Sequence, residues 1–211
     1  MIQVSLPRLY GILDASCFQD TFALCIAAIE LVEGGCTVLQ YRNKSGNARG
    51  MVEQARELKR HLDTQVVQPR VRLIMNDRAD LCLPADFDGV HVGQDDLSPE
   101  SVRKIIGPER WLGVSTHNPE QLAEADKTSA DYLAIGPVFA TASKAKPDPV
   151  VGLEGVRRAR ALTRKPLVAI GGITRTNAAL VIEAGADSVA VISDLLREPR
   201  QSAEEFLRIL R

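Results

Sequence analysis

The sequence predicts an α/β protein, a single (β/α)8 TIM barrel that occupies residues 1–211. Two observations lead to this prediction: short apolar runs alternate with amphipathic helical stretches along the whole chain, and there are eight of each. Near-continuous apolar strands are typical of a parallel sheet that is buried on both faces. A closed barrel accommodates eight such units in about 200 residues. A doubly wound open sheet is the alternative, and no linker divides the chain into two domains.

The strands are short runs rich in β-branched and aliphatic residues, each followed by a polar or glycine residue. We predict strands at 8–13, 38–42, 72–76, 89–92, 111–115, 132–136, 166–170 and 188–192.

The helices are recognised by apolar residues at helical spacing and by residues that favour helix ends. Ser98, Asn118 and Thr176 are predicted N-caps, and the first two precede proline, which is favoured in the first turn. We predict helices at 18–33, 47–64, 78–84, 99–106, 119–127, 153–162, 177–184 and 203–210.

The composition is that of an ordinary globular protein, with 45% hydrophobic and 25% charged residues and a formal net charge of -1. Such a charge creates no long-range field that would attract nucleic acid or an anionic membrane, so we expect neither partner. The N-terminal sequence has no signal-peptide pattern. The cysteines have no metal-ligand spacing, so we expect reduced, buried thiols and a cytoplasmic location. They are Cys17, Cys25, Cys36 and Cys82.

Two aspartates follow neighbouring strands of the predicted barrel. Asp77 comes after the third strand and Asp96 after the fourth, and the C-terminal ends of barrel strands meet at one mouth. Two carboxylates there could hold magnesium together with a substrate phosphate. The alternative is that each acid only caps the following helix.

Cations follow the second and sixth strands. Arg42 and Lys44 come after the second strand, and Lys144 lies in the segment after the sixth. Beside an acid pair, they resemble a clamp in which a metal and basic side chains together neutralise a diphosphate. The alternative is solvated surface charge.

A second anion site is predicted at the last two strands. Gly171 and Gly172 follow the seventh strand, and Ile192 and Ser193 follow the eighth. Many barrels bind phosphate there with backbone N–H groups, and glycine permits a close approach. A tight turn that needs positive φ is the alternative. Two anion sites in one mouth indicate two phosphorylated small molecules and a transfer between them.

Eight segments in order along the chain resemble the thiamin phosphate synthase family. They are LYGILD (9–14), QYRNK (40–44), IMNDRADL (74–81), DGVHVGQDDL (88–97), GVSTHN (113–118), DYLAIGPVFATASK (131–144), AIGGI (169–173) and ADSVAVIS (186–193). The resemblance implies a transferase that joins 4-amino-2-methyl-5-pyrimidinylmethyl diphosphate to a thiazole phosphate or its carboxylated form. The products are thiamin monophosphate and pyrophosphate. The diphosphate leaves first, and the thiazole nitrogen captures the resulting cation.

The resemblance also implies a role for each matching residue. The pyrimidine diphosphate would be bound by Gln40, Tyr41, Arg42, Asn43, Lys44, Asn76, Ser115 and Lys144. The thiazole phosphate would be bound by Thr141, Ala142, Ser143, Gly172, Ile192 and Ser193. Asp77 and Asp96 would be the ligands of a magnesium cofactor, and the catalytic set would be Lys144, Asp77, Asp96 and Ser115.

Several positions depart from the family pattern, namely Tyr41, Asn43, Ala142 and Ser143. The segment 141–149 is a candidate lid, and His91, His117 and Trp111 are assigned to packing or orientation. Two other functions remain possible. One is a thiazole tautomerase, a related isomerase with no need of a metal-held diphosphate, and the other is a barrel that binds ligand without chemistry.

Overall fold

A computed structural model describes residues 4–64, 70–141 and 148–211. Its eight strands are all parallel and form a closed barrel in chain order, with β8 paired to β1. The predicted (β/α)8 barrel is therefore confirmed, and the open sheet is excluded. The strands are β1 Leu9–Asp14, β2 Val38–Arg42, β3 Arg72–Asn76, β4 Gly89–Val92, β5 Trp111–Thr116, β6 Tyr132–Ile135, β7 Leu167–Ile170 and β8 Ser188–Val191.

Eight α-helices surround the barrel within the described residues, and one follows each strand. They are α1 Thr21–Glu33, α2 Ala48–Asp63, α3 Ala79–Cys82, α4 Pro99–Ile106, α5 Pro119–Asp126, α6 Gly152–Leu162, α7 Ala178–Glu183 and α8 Pro199–Ile209.

Two helix starts differ from the predictions by more than one residue. The first helix was predicted to begin at residue 18, but a short 3-10 turn follows β1 and α1 begins only at Thr21. Asp20 is its N-cap, and the Asp20 side chain accepts a hydrogen bond from Ala23 N–H. The last helix begins four residues earlier than predicted, at Pro199, because proline suits the first turn, where its missing N–H costs nothing.

The predicted N-caps were partly correct. Ser98 and Asn118 accept hydrogen bonds from the backbone N–H groups of Ser101 and Gln121. Thr176 is not a cap, because α7 begins one residue later, with Asn177 at the N-cap position. The Asn177 side chain instead bonds backward to the loop after β7, where it accepts from Thr174 N–H.

Alternation along each strand divides its side chains between two environments. On β2, Val38, Gln40 and Arg42 point into the barrel, while Leu39 and Tyr41 pack against the surrounding helices. The shell between barrel and helices is the larger apolar core. The barrel interior holds a smaller cluster that includes Ile12, Ile74 and Trp111. Function depends on the inward-facing residues near the C-terminal ends of the strands.

No helix within the described ranges is both long enough and apolar enough to cross a membrane.

The cysteine prediction was correct for three residues and wrong for one. Cys25, Cys36 and Cys82 are buried, but Cys17 is exposed because it lies on the 3-10 turn outside the barrel wall. Burial raises the pKa of Cys36 to about 11 and that of Cys82 to about 12. These thiols are therefore unreactive, since the thiolate is the reactive form.

We expect an excess of a thiol-specific reagent at pH 7.5 to modify one cysteine of the native protein and all four after denaturation. Peptide mapping should locate the native modification at Cys17, and Cys17→Ser should abolish it. Rapid modification of Cys36 or Cys82 in the native state would contradict the buried positions.

Candidate functional site

A cavity of about 380 Å³ opens at the C-terminal mouth of the barrel. Its wall combines inward-facing strand residues with the loops after β6, β7 and β8. Eight of the residues assigned to substrates by the sequence line it: Gln40, Arg42, Asn76, Ser115, Thr141, Gly172, Ile192 and Ser193.

The two aspartates of the predicted metal site lie together after β3 and β4, although neither is among the residues that line the cavity. Asp77 forms an ion pair with Lys44, and Asp96 accepts a hydrogen bond from Gly93 N–H at 2.7 Å. Burial raises the pKa of Asp96; the bond from Gly93 lowers it, and the adjoining Asp77 carboxyl raises it. The Asp77 carboxyl is thus close enough to disfavour the ionised form of Asp96.

The backbone also indicates that Asp77 has a role other than capping. Its φ is 59°, a left-handed conformation that aspartate tolerates better than most residues. Helix α3 has Arg78 at its N-cap position, with no side-chain cap. The alternative that Asp77 merely caps this helix is therefore wrong.

The donor set formed by Asp77 and Asp96 fits a magnesium ion. Two neighbouring carboxylates need a cation, and the partner present, Lys44, is more than half exposed. Across the described residues no three His, Cys, Asp or Glu side chains group together as a complete metal cage. Magnesium is commonly held by one or two carboxylates, with water and substrate phosphate completing its coordination.

Arg42 extends into the mouth from β2 and pairs with Asp14 at the end of β1. Asp14 is 5% exposed and also accepts hydrogen bonds from the N–H and hydroxyl of Ser16, at 3.1 and 2.7 Å. This pair fixes the guanidinium beside the cavity, where its remaining donors can face an anion.

Three of the described residues assigned to the pyrimidine diphosphate do not line the cavity, namely Tyr41, Asn43 and Lys44. Tyr41 is fully buried on the outer side of β2, where its hydroxyl donates to Gln54 Oε1 at 2.6 Å. Asn43 Oδ1 accepts from the N–H groups of Ser45 and Gly46, at 3.0 and 2.9 Å. Asn43 Nδ2 donates to Gln54 Oε1 at 3.1 Å. Tyr41 and Asn43 shape the β2–α2 loop, which carries Lys44, so a direct substrate contact disagrees with their positions.

Ala142, Ser143 and Lys144 lie outside the described residues, as does most of the candidate lid. Thr141, the residue before them, lines the cavity. His117 also lines it; its Nδ1 lies 2.6 Å from Gly136 O and its Nε2 lies 3.5 Å from an Asp148 carboxyl oxygen.

The loops after β7 and β8 form a cradle at the opposite side of the mouth from the aspartates. Gly171 and Gly172 have φ of 100° and 62°, and a Cβ on Gly172 would lie 2.5 Å from Ala140 O. In the described part of the chain, the N–H groups of Gly172 and Ser193 donate to no protein acceptor. Backbone donors of this kind suit a phosphate.

A charged cluster joins the two loops of the cradle. Arg175 donates to Asp194 from its backbone N–H at 2.9 Å and from Nε at 3.2 Å, and it pairs with Glu205 on α8. Asn177 Nδ2 donates to Gly172 O at 3.0 Å. These bonds hold the loops in register before a ligand binds, which lowers the entropic cost of binding. Sequence reasoning missed this cluster, because its partners are distant along the chain.

The floor of the cavity carries a polar network that the sequence did not predict. Tyr10, Tyr132 and His91 line the interior, and His91 Nε2 lies 2.8 Å from Ser115 Oγ. Burial lowers the pKa of His91 to about 4, although the charge of Asp96 raises it, so the imidazole is neutral at pH 7. Orientation was the role expected of His91, and these contacts agree with it.

Comparison with known proteins places the chain in a family. The family model described as "Thiamine monophosphate synthase" matches residues 9–195. The chain belongs to the thiamine monophosphate synthase family. A "Thiamine-phosphate synthase" of Koribacter versatilis is 62% identical, covering 98% of this chain and 97% of that protein. One of Chloroflexus aurantiacus is 45% identical, covering 88% and 83%.

Solved structures agree with membership of the thiamine monophosphate synthase family. A "Thiamine phosphate pyrophosphorylase from Pyrococcus furiosus" superposes with a TM-score of 0.81 at 34% identity, covering 96% of this chain and 95% of that one. A structure titled "Native KDPGal structure" reaches a TM-score of 0.71 at 17% identity, with coverage of 99% and 96%. The second likeness shows the barrel alone.

Proposed function

We propose that the chain transfers the pyrimidinylmethyl group of 4-amino-2-methyl-5-pyrimidinylmethyl diphosphate to the nitrogen of a thiazole phosphate, with the help of magnesium. The chain is an enzyme, a transferase that makes thiamin monophosphate, as its family membership and its 62% identical relative indicate. Its partners are two small-molecule substrates. The metal, the order of bond changes and the residue roles are the proposal.

One observation carries the proposal: two groups of residues that could each bind an anion follow strands on opposite sides of the barrel. Asp77 and Asp96 follow β3 and β4, and Gly172 and Ser193 follow β7 and β8. In a closed barrel of eight strands in chain order, these pairs of strands stand opposite each other. A diphosphate on one side and a monophosphate on the other would bring the two heterocycles together between them.

We assign the diphosphate to the β2–β4 side of the mouth. Asp77 and Asp96 would hold the magnesium, which when bound stabilises negative charge on the leaving diphosphate. Lys44, beside Asp77, and Arg42, fixed by Asp14, would neutralise the remaining phosphate oxygens. Ser115 would contact the pyrimidine from β5, and Asn76 would lie between ring and phosphate.

The reaction would need no protein nucleophile. The C–O bond breaks, pyrophosphate leaves with the bonding electrons, and the lone pair of the thiazole nitrogen forms the new C–N bond. The chain's contribution is to orient the two substrates and to exclude water, which would otherwise capture the cation. Ile12, Ala134, Val168 and Ala190 form an apolar wall to the cavity that is suited to this.

The other two candidate functions do not explain why two aspartates and a lysine lie together after β2, β3 and β4. A thiazole tautomerase or a non-catalytic binding barrel would have no use for Asp77 and Asp96 beside Lys44. We also propose a cytoplasmic location, because three thiols are buried and reduced and none is paired in the described residues.

The deciding experiment incubates the purified protein with both phosphorylated heterocycles and magnesium, and it measures pyrophosphate and thiamin monophosphate. Equal amounts of the two products are expected, with no pyrophosphate when the thiazole phosphate is omitted. Pyrophosphate release that needs only water would refute the transferase, and isomerisation of the thiazole without pyrophosphate would favour the tautomerase.

Lys144→Ala should lower kcat by about 10²-fold and leave the KM for the thiazole phosphate nearly unchanged, if the ammonium stabilises the leaving group. The assignment of Lys144 rests on the family resemblance. Steady-state kinetics with each substrate varied in turn would test it, and Lys127→Ala, on an exposed surface pair with Glu124, is the control. An unchanged kcat would remove Lys144 from the catalytic set.

A further inference from the structure

A continuous line of hydrogen bonds crosses the inside of the barrel from one part of the cavity wall to another. Gln40 Nε2 donates to Tyr10 Oη at 3.0 Å, and the hydroxyls of Tyr10 and Tyr132 are 3.0 Å apart. Tyr132 Oη lies 3.1 Å from His91 Nδ1, and His91 Nε2 lies 2.8 Å from Ser115 Oγ. The five residues come from five different strands.

The two tyrosines of this line are almost completely buried, although Tyr10 and His91 also line the cavity. Tyr10 and Tyr132 are 1% and 0% exposed, whereas Gln40 and Ser115 present polar atoms to the cavity. Gly113 makes the crossing possible: a Cβ there would lie 2.2 Å from Tyr132 Cζ and 2.3 Å from His91 Nδ1. The packing therefore specifies the contact between the phenol and the imidazole.

The protons in this line can be arranged in only two ways. Each phenol and a neutral imidazole carries one polar hydrogen, so every bond must point in the same direction along the line. Because Gln40 donates to Tyr10, Tyr10 donates to Tyr132 and Tyr132 donates to His91 Nδ1. His91 then bears its proton on Nε2 and donates to Ser115. The reverse order would leave the buried Tyr10 proton without an acceptor among the described residues.

We propose that this line gives its two ends opposite polarity, so that Ser115 donates a hydrogen bond to the ligand while the Gln40 carbonyl oxygen accepts one. Ser115 Oγ accepts from His91, and its own hydrogen is left to point into the cavity. One hydrogen of the Gln40 amide nitrogen is donated to Tyr10, and the amide oxygen, which accepts no hydrogen bond from the described residues, is left for the ligand. Tyr10, Tyr132 and His91 are positioning residues that set the direction and do not touch the reacting atoms.

This polarity selects the orientation of the heterocycle between the two ends of the line. A ligand that fits must offer an acceptor to Ser115 and an N–H donor to Gln40. The aminopyrimidine offers an unprotonated ring nitrogen and an amino group; this assignment rests on the proposed function. An analogue with an oxo group in place of the amino group has its donor and acceptor exchanged, and it would leave Gln40 Oε1 facing another acceptor.

The direction of the line can be measured without any substrate, by NMR of the protein labelled with 15N-histidine at pH 8. We expect the wild-type His91 imidazole to be protonated at Nε2. Gln40→Glu, which places a carboxylate that can only accept at the far end of the line, should reverse every bond and move the His91 proton to Nδ1. An Nδ1–H imidazole in the wild type, or an unchanged Nε2–H imidazole in Gln40→Glu, would overturn the proposal.

Kinetics test whether the line acts through Ser115. Tyr132→Phe should reduce kcat/KM for the pyrimidine diphosphate by about 10-fold, with the KM for the thiazole phosphate unchanged. Combining Tyr132→Phe with Ser115→Ala should cost no more than Ser115→Ala alone, because both remove the same donated bond. Additive losses would contradict the proposal. The tautomer measurement stands even if the protein proves to have another activity.

Thr116→Val is the matched control for loss of a buried hydroxyl. Thr116 is next to Ser115 on β5 but faces outward, where its hydroxyl donates to Ala134 O at 2.8 Å. We expect this variant to lose some stability and to retain wild-type kinetics and the Nε2–H form of His91.

Discussion

Asp77→Asn is expected to lower kcat by at least about 10³-fold while the protein remains folded. Asparagine keeps the shape of the side chain and tolerates the left-handed backbone at this position, where φ is 59°. It removes the negative charge that, with Asp96, would hold the magnesium. Lys44, the partner in the lost ion pair, is 56% exposed, so the cost in stability is expected to be about 1 kcal/mol or less.

Steady-state kinetics over a series of magnesium concentrations would measure this effect, with circular dichroism as the test of folding. A chelator should abolish wild-type turnover, and added magnesium should restore it. Asp80→Asn is the control, because Asp80 is an exposed acid three residues further on that pairs with Arg78. Full wild-type activity in chelator, or normal kcat in Asp77→Asn, would rule out a metal at these aspartates.

Gly172→Ala is expected to raise the KM for the thiazole phosphate by about 10- to 100-fold, which corresponds to the loss of one charge-assisted hydrogen bond. Its Cβ would lie 2.5 Å from Ala140 O and 2.8 Å from Phe139 Cβ, so the loops after β6 and β7 must separate. That movement displaces the backbone N–H groups proposed to hold the phosphate. The KM for the pyrimidine diphosphate, which binds across the mouth, should change much less.

Gly107→Ala separates this local effect from backbone strain. Gly107 has a similarly positive φ of 77°, but nothing lies within 4 Å of the position its Cβ would take, and it follows α4 away from the cradle. Both variants should lose about 1 kcal/mol of stability from the strained backbone. Only Gly172→Ala should lose affinity for the thiazole phosphate. An equal KM for the thiazole phosphate in both variants would contradict a role of Gly172 in binding it.

The predicted strands agree closely with the structure because a strand buried on both faces leaves a clear apolar run in the sequence. Helix starts were less accurate. Pro199 could have been recognised as a first-turn residue, but the exposed stretch before it carries no apolar periodicity. Cys17 was misassigned for a related reason: an apolar neighbourhood in sequence does not distinguish a helix from a turn that leaves the barrel.

Local sequence also predicted the general location of the site. Lys44, Asp77 and Asp96 were expected to meet at one mouth because they follow neighbouring strands, and they do meet. Tyr41 and Asn43 were assigned to the pyrimidine diphosphate only because they lie between Gln40 and Lys44 in the matching segment. Alternation along β2 turns Tyr41 to the outer face, and the loop uses Asn43 to close its own turn.

The sequence by itself determined the number and order of the strands, the barrel and the two groups of polar residues at its mouth. These follow from periodicity and from the rule that parallel strands end on one side. Only the tertiary structure decided which polar atoms touch. The line from Gln40 to Ser115, and the cluster of Arg175, Asp194 and Glu205, join residues that are distant along the chain. Hydrogen bonds form only within about 3 Å, so such contacts appear once barrel closure has fixed the separation of the strands.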